Sequence, residues 1–213
     1  MRVLVVGLGL IVACDSPRSL DYLSVKLEMS SQAGELSILA DTFDYFRYKP
    51  VDDPNLRIAV RVRDEEIGLA KAYVESSYEA TRIIDPPLAG DEEVVVIIDQ
   101  RDGEYIELSA TAPPSFTVSP PTDAHASQPI TVMWSPTSND PMGWRGTCLD
   151  EEDNGPIPAN TGSITFPTGI VARDRCSAQM TFSRSRTSRP HSELSSAELT
   201  LSQAFPVTFE VAP

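Results

Sequence analysis

The sequence predicts a mainly β protein built as two β-sandwich domains in tandem. Three observations carry this: apolar residues recur with period two along much of the chain, 18 prolines are spread through it, and the alternating runs are separated by stretches rich in Gly, Pro, Asp and Ser. Alternation sends one side of a run into a core and leaves the other wet. Prolines end ladders and helices alike, so they favour many turns and few long helices. The 213 residues divide into two sandwiches of about a hundred residues each, and each half can bury a core without metal or dense disulfides.

The first domain is expected over residues 21–112. Leu23, Val25, Leu27 and Met29 alternate with Ser24, Lys26 and Glu28, which reads as a strand. Ser30 to Glu35, with Gly34, reads as a turn. Leu36, Ile38 and Ala40 continue as a short strand. Arg57 to Arg63 alternates with Ile58, Val60 and Val62 on one side and arginines on the other. Glu65 to Ala80 fits a helix or a strand, and Gly68 weakens the helix. After Asp85-Pro86-Pro87, Val94 to Ile98 is a buried strand, Asp102-Gly103 a hairpin turn, and Tyr105 to Ala110 the returning strand.

Prolines 113, 114, 120 and 121 mark the boundary near Ala112, and the second domain is expected over residues 113–213. Pro129 to Pro136 is a strand with Ile130, Val132 and Trp134 on one face. Later strands are Ser163 to Phe166, Cys176 to Phe182, Glu198 to Leu201 and Phe205 to Val211. The segment Pro113 to Pro136, a proline-led strand, a loop and an alternating strand closing in Trp-x-Pro, resembles the opening of a fibronectin type III or related immunoglobulin-like domain. The resemblance implies an immunoglobulin-like sandwich. No tyrosine-bearing third strand follows, and the cysteine pair is foreign to the fibronectin module.

The N-terminus is Met-Arg followed by about ten apolar residues, Val3 to Val12, too short to span a bilayer and right for a signal peptide. It closes in Ile11-Val12-Ala13-Cys14, which resembles the bacterial lipobox. The resemblance implies cleavage after residue 13, lipid on Cys14, a tether over residues 14–20, and anchoring to the inner or outer membrane of a bacterial envelope. Two or three acyl chains hold a protein where one does not. An ordinary cleaved leader is the alternative. Export places Cys148 and Cys176 in an oxidising compartment, where a Cys148–Cys176 disulfide is expected, with separate thiols the alternative.

The net charge of −14 repels phosphate backbones and argues against nucleic acid as a partner. Residues 15–112 hold 21 acidic and 10 basic side chains, and residues 113–213 hold 10 and 6, so the first half carries most of the excess. Arg173, Arg175, Arg184, Arg186 and Arg189 form a basic stripe suited to a carboxylate or phosphate partner; a solubilising face, with Met180 and Phe182 on the other side of the strand, is the plainer reading. Tyr45, Phe46 and Tyr48 form the densest aromatic cluster. They and Trp144 fit a glycan or protein partner, or simply a core. Asp150 to Gly155 partly resembles a calcium loop, but Thr161 stands where a bidentate glutamate is needed, so no metal is expected. His125 and His191 lie in Ser/Pro-rich loops without a Gly-x-Ser-x-Gly elbow, and Asp64 with Glu66 reads as solvent-facing rather than a glycosidase pair. The expectation is a non-enzymatic, cofactor-free envelope lipoprotein that binds a protein partner, with a glycan-binding surface module as the alternative.

Overall fold

A computed structural model describes residues 23–32, 34–44, 49–50, 55–72, 77–100, 105–147, 152–157, 162–168, 176–190, 194 and 196–213. Every regular element among them is a strand, so the protein is mainly β. In chain order these are β1 (Leu23–Gln32), β2 (Glu35–Asp44), β3 (Lys49–Pro50), β4 (Leu56–Val62), β5 (Glu65–Gly68), β6 (Ala70–Lys71), β7 (Ser77–Ile83), β8 (Glu93–Gln100), β9 (Tyr105–Thr111), β10 (Thr117–Ser119), β11 (Ala124–His125), β12 (Ile130–Ser135), β13 (Met142–Thr147), β14 (Glu152–Ile157), β15 (Ser163–Phe166), β16 (Cys176–Ser188) and β17 (Ser196–Ala212).

One long sheet runs β14-β13-β16-β17-β1-β2-β7-β6, with β11 added to β17 and β3 to β2. Two smaller sheets, β5-β4-β8-β9 and β10-β12-β15, cover different parts of it. Under the first lies an aliphatic cluster that joins Val25 and Ile38 of the long sheet to Ile58, Val96 and Leu108 of the cover. Under the second lies an aromatic cluster joining Phe182 and Phe209 to Trp134 and Phe166. Fully burying an aliphatic or Phe side chain stabilises by about 1.5–3 kcal/mol, so these alternating inward positions hold the layers together.

The long sheet belongs to both clusters because β17 does. Its odd-numbered side chains all point inward: Ala197, Leu199 and Leu201 into the first cluster, Val207, Phe209 and Val211 into the second, with Gln203 buried between them. β17 pairs with β1 in parallel from Ser24↔Ser196 to Gln32↔Ala204 and antiparallel with β16 from Cys176↔Val211 to Ser188↔Leu199. This corrects the expected pair of short strands, 198–201 and 205–211. Leu194, Ala197, Leu199 and Leu201, from the region expected as the second domain, pack in the first cluster. The alternation continues unbroken through Gln203, whose Nε2 donates to the Leu88 carbonyl at 3.3 Å; a buried amide with a partner has no reason to break the ladder.

Two other expectations change, and the acidic segment is placed in part. The first turn is shorter than Ser30–Glu35, because β1 reaches Gln32 and β2 begins at Glu35, with Gly34 at φ 86, a backbone that glycine adopts freely. Residues 65–68 and 77–83 are strands rather than helix. Glu152 to Gly155 lie in β14, paired with β13 from Trp144↔Gly155 to Thr147↔Glu152, so this part of the acidic segment is an extended strand; Asp150 and Glu151 lie outside the described residues.

Candidate functional site

The densest polar arrangement sits where the two clusters meet. Along β16 the even-numbered side chains Ala178, Met180, Phe182 and Arg184 all face inward. Arg184 stands opposite Gln203 and is 0% exposed. Its Nη1 donates to the Pro114 carbonyl at 3.0 Å and its Nη2 to the Pro136 carbonyl at 2.7 Å. Its guanidinium also lies 4.7 Å from the centre of the Phe116 ring, the approach of a cation to a π face. A buried charge is costly unless hydrogen bonds satisfy it; here backbone carbonyls serve the two terminal nitrogens from segments 70 and 48 residues away, while Nε is buried without a hydrogen-bond partner. Burial still pulls the Arg184 guanidinium below its ordinary value, partly offset by the charge of Asp140.

Arg186, one step along the same side, makes a two-pronged pair with Asp140 through Nε to Oδ1 at 2.8 Å and Nη2 to Oδ2 at 2.9 Å. Its Nη1 reaches the Asp91 carboxylate at 2.9 Å, the Thr111 hydroxyl at 3.1 Å and the Ala112 carbonyl at 3.1 Å. Hydrogen bonds from Arg186 to the Asp140 and Asp91 carboxylates hold its guanidinium above its usual range. Asp140 is held below the usual carboxylate range, first by Arg186 and further by the Ser138 hydroxyl. A second fork lies nearby: Arg63 Nε meets Glu92 Oε1 at 2.6 Å while its Nη1 donates to the Pro86 carbonyl at 2.9 Å. The hydrogen bond from Arg63 lowers the Glu92 carboxyl.

This arrangement is a clamp on the connection between the two clusters. Residues 112–116 leave one core and enter the other, and β16 holds that passage by its Ala112 and Pro114 carbonyls. Arg184 and Arg186 therefore do not form a surface stripe. Arg184 has no exposed surface to offer a partner, and Arg186 is occupied within the chain. The signal was in the numbering: both share parity with Met180 and Phe182, so they continue the core face of the strand instead of opposing it.

The other residues expected to serve a site divide by position. Cys14, Tyr45, Phe46, Tyr48, Cys148, Arg173, Arg175 and His191 lie outside the described residues. Cys176 opens β16 with a half-buried side chain that is not a free thiol. Arg189 pairs on the surface with Glu198 at 2.7 Å. Trp144, on β13, packs edge-on against Phe166 with ring centres 4.8 Å apart, and it serves the aromatic cluster. Asp64 and Glu66 are exposed at and just beyond the turn that ends β4. His125 lies 3.0 Å from Asp123 through Nε2. Among the described residues no group of three or more His, Cys, Asp or Glu side chains is placed to hold a metal ion.

Sequence reading missed the outward face of the long sheet. A shallow groove of about 950 Å³ crosses it, lined by Leu39, Trp144, Arg145 and many serines and threonines. Ser185, Ser202, Ser30, Ser37 and Thr81 occupy matching register positions on five neighbouring strands, β16, β17, β1, β2 and β7. Register brings them together, and no single stretch of sequence reveals it.

No protein family and no curated protein matches the chain. Among solved structures it is similar to a chain of a cytokine receptor complex, at TM-score 0.32 and 9% identity over 88% of this chain and 95% of that one. It is also similar to a bacterial ice-binding adhesin studied for host cell surface retention, at TM-score 0.29 and 10% identity over 89% of this chain and 64% of that one. A third likeness is to a calcium-stabilised adhesin of an Antarctic bacterium that binds ice, at TM-score 0.26 and 12% identity over 89% and 49%. Overlaps this low carry no function across to this chain.

Proposed function

We propose that this protein is a non-catalytic bacterial envelope lipoprotein, held at the inner or outer membrane by lipid on Cys14, whose two immunoglobulin-like sandwiches form a stiff unit that presents a β surface to a protein partner. The observation that carries the reading is the sharing of β17 by both hydrophobic clusters, with Arg184 and Arg186 of the adjoining β16 clamping the passage between them. Two units joined by a bare linker move independently. Two units that share a strand and a buried arginine at their junction hold a fixed orientation, which suits display of a surface at a set distance from an anchor. A Cys148–Cys176 disulfide is part of the proposal, as a covalent tie on the start of β16.

The test is intact mass of the protein extracted from membranes, together with fractionation of Cys14→Ser. A mass that places Cys14 first and adds acyl chains, with release of the serine variant into the soluble fraction, is the expected outcome. An unmodified chain, or a variant that stays on the membrane, overturns the anchor.

The hydroxyl-lined groove favours a second reading, a glycan-binding surface module, because neutral hydroxyls match the groups a sugar presents. Loss of binding to immobilised envelope polysaccharide on Ser202→Arg, which fills the groove floor, would bring this reading to the front.

A further inference from the structure

We infer that the free edge of β9 is where the partner docks, and that the partner contributes an extended, basic segment which pairs with β9 as a fifth strand of the β5-β4-β8-β9 sheet. The inference rests on the partner-presenting role above and names the surface that would serve it.

Edge strands expose unpaired amides and carbonyls, and folded proteins blunt them by shortness, proline, lysine or covering segments. Most edges among the described residues are blunted. β3, β6 and β11 have two residues each, β10 has three, and β5 and β15 have four. β14 has six but includes Pro156, which has no amide to donate. β9 alone runs for seven residues, Tyr105-Ile106-Glu107-Leu108-Ser109-Ala110-Thr111, with neither proline nor lysine, and it pairs only with β8.

The direction of its backbone groups follows from the ladder. Ala112 donates its amide to the Glu92 carbonyl at 2.9 Å, so positions two, four and six residues earlier also face β8. The amides and carbonyls of Tyr105, Glu107, Ser109 and Thr111 face away from it. Among the described residues β9 has no strand partner other than β8, and no turn or loop backbone bond meets these groups. Their side chains are exposed, and Tyr105, at 61%, is among the most exposed large apolar side chains of the protein.

Charge selects the partner. Glu107 is the one charged side chain on this edge, and Arg61 pairs with it at 2.9 Å, which removes much of its value as a guard against pairing. The surrounding chain carries a net charge of −14, so a segment that alternates apolar and basic residues approaches with favourable steering and an acidic one is repelled. Addition of a strand to an exposed edge is an established mode of peptide recognition in which backbone bonds give affinity and alternate side chains give selection.

The experiment uses the full-length mature protein and two synthetic eight-residue peptides, one alternating valine with lysine and one alternating valine with glutamate. The lysine peptide is expected to bind and to slow hydrogen exchange at Glu107, Ser109 and Thr111 at least tenfold, while the glutamate peptide does not. Ser109→Pro, which removes an outward amide and leaves the β8 ladder intact, is expected to weaken binding at least tenfold, and Ser109→Ala to leave it unchanged. If Ser109→Pro fails to fold, Glu107→Lys replaces it by setting a repelling charge on the same edge. The inference is overturned if no β9 amide is slowed, if both edge-blocking variants bind as the natural protein does, or if the glutamate peptide binds equally well. A photo-cross-linking residue at position 109, compared with one at exposed position 131 on β12 in intact membranes, separates the two levels. Cross-links from 131 alone overturn the edge and spare the partner-presenting role; cross-links from neither overturn both.

Discussion

The two hydrophobic clusters solve the same packing problem with different residues. In the first, Tyr78 is the one aromatic ring among the buried side chains, and Val94, Val96 and Ile98 on β8 line up beside Val62, Val60 and Ile58 on the neighbouring β4. In the second, Phe116, Trp134, Phe166, Phe182 and Phe209 fill most of the space, with Trp134 and Phe182 centred 6.1 Å apart. Many small branched side chains on two flat strands share the load evenly. A few rings concentrate it, and they offer something the aliphatic layer does not: a π face, Phe116, on which the cation of Arg184 rests at the boundary. The aromatic cluster is therefore the one that can seat a buried charge and so join itself to its neighbour.

The contrast can be broken by substitution. Phe182→Ala, which empties a fully buried ring position, is expected to cost about 4 kcal/mol in urea unfolding. Next in size is Arg184→Ala, which strips the Pro114 and Pro136 carbonyls of their donor and is expected to cost about 3 kcal/mol. Both tryptophans, Trp134 and Trp144, belong to the aromatic cluster, so their fluorescence follows that cluster while far-ultraviolet dichroism follows all strands. In the natural protein the two transitions are expected to coincide. In Arg184→Ala they are expected to separate, and coincidence in that variant would show that the shared strand β17 alone joins the halves. Ile98→Val in the aliphatic layer is expected to cost about 1 kcal/mol; a cost near that of Phe182→Ala would erase the difference between the clusters.

The smallest effect sharpens the clamp. Asp140 is held below its ordinary range by Arg186. A depressed carboxyl contributes stability that is present above its unfolded value, near pH 4, and is lost as pH falls through the lower folded value. The natural protein is therefore expected to lose, over that interval, a small part of its stability that Asp140→Asn does not lose. Parallel pH curves for the two proteins would remove Asp140 from the clamp. Glu92, lowered by Arg63, adds loss of the same sign in both and cancels in the comparison.

Much of the fold was legible because alternation is a local signal. β4, β8, β9, β12 and β15 lie within a residue or two of the runs read from Ile58, Val96, Leu108, Val132 and Ile164. What escaped was parity carried across polar residues. Gln203 looked like a gap between two strands, yet residues 199, 201, 203, 205 and 207 lie on one side of one strand, all buried except the half-buried Phe205. Arg184 looked like surface because arginine usually is, although it follows Met180 and Phe182 at the same spacing. The carbonyls that make its burial tolerable belong to Pro114 and Pro136, and no local pattern points from one to the other. The hydroxyl row and the free edge of β9 are likewise products of pairing, invisible until the strands are ordered.

The parallel pairing of β1 with β17 joins positions 24 and 196, so the first and last described strands must meet before the aliphatic cluster is complete. Leu199 and Leu201 close one and Val207 and Phe209 close the other. During synthesis neither half has its full inner layer until β17 has emerged, and contacts of such long reach are slow to form. A single strand thus supplies the last inner row of both halves.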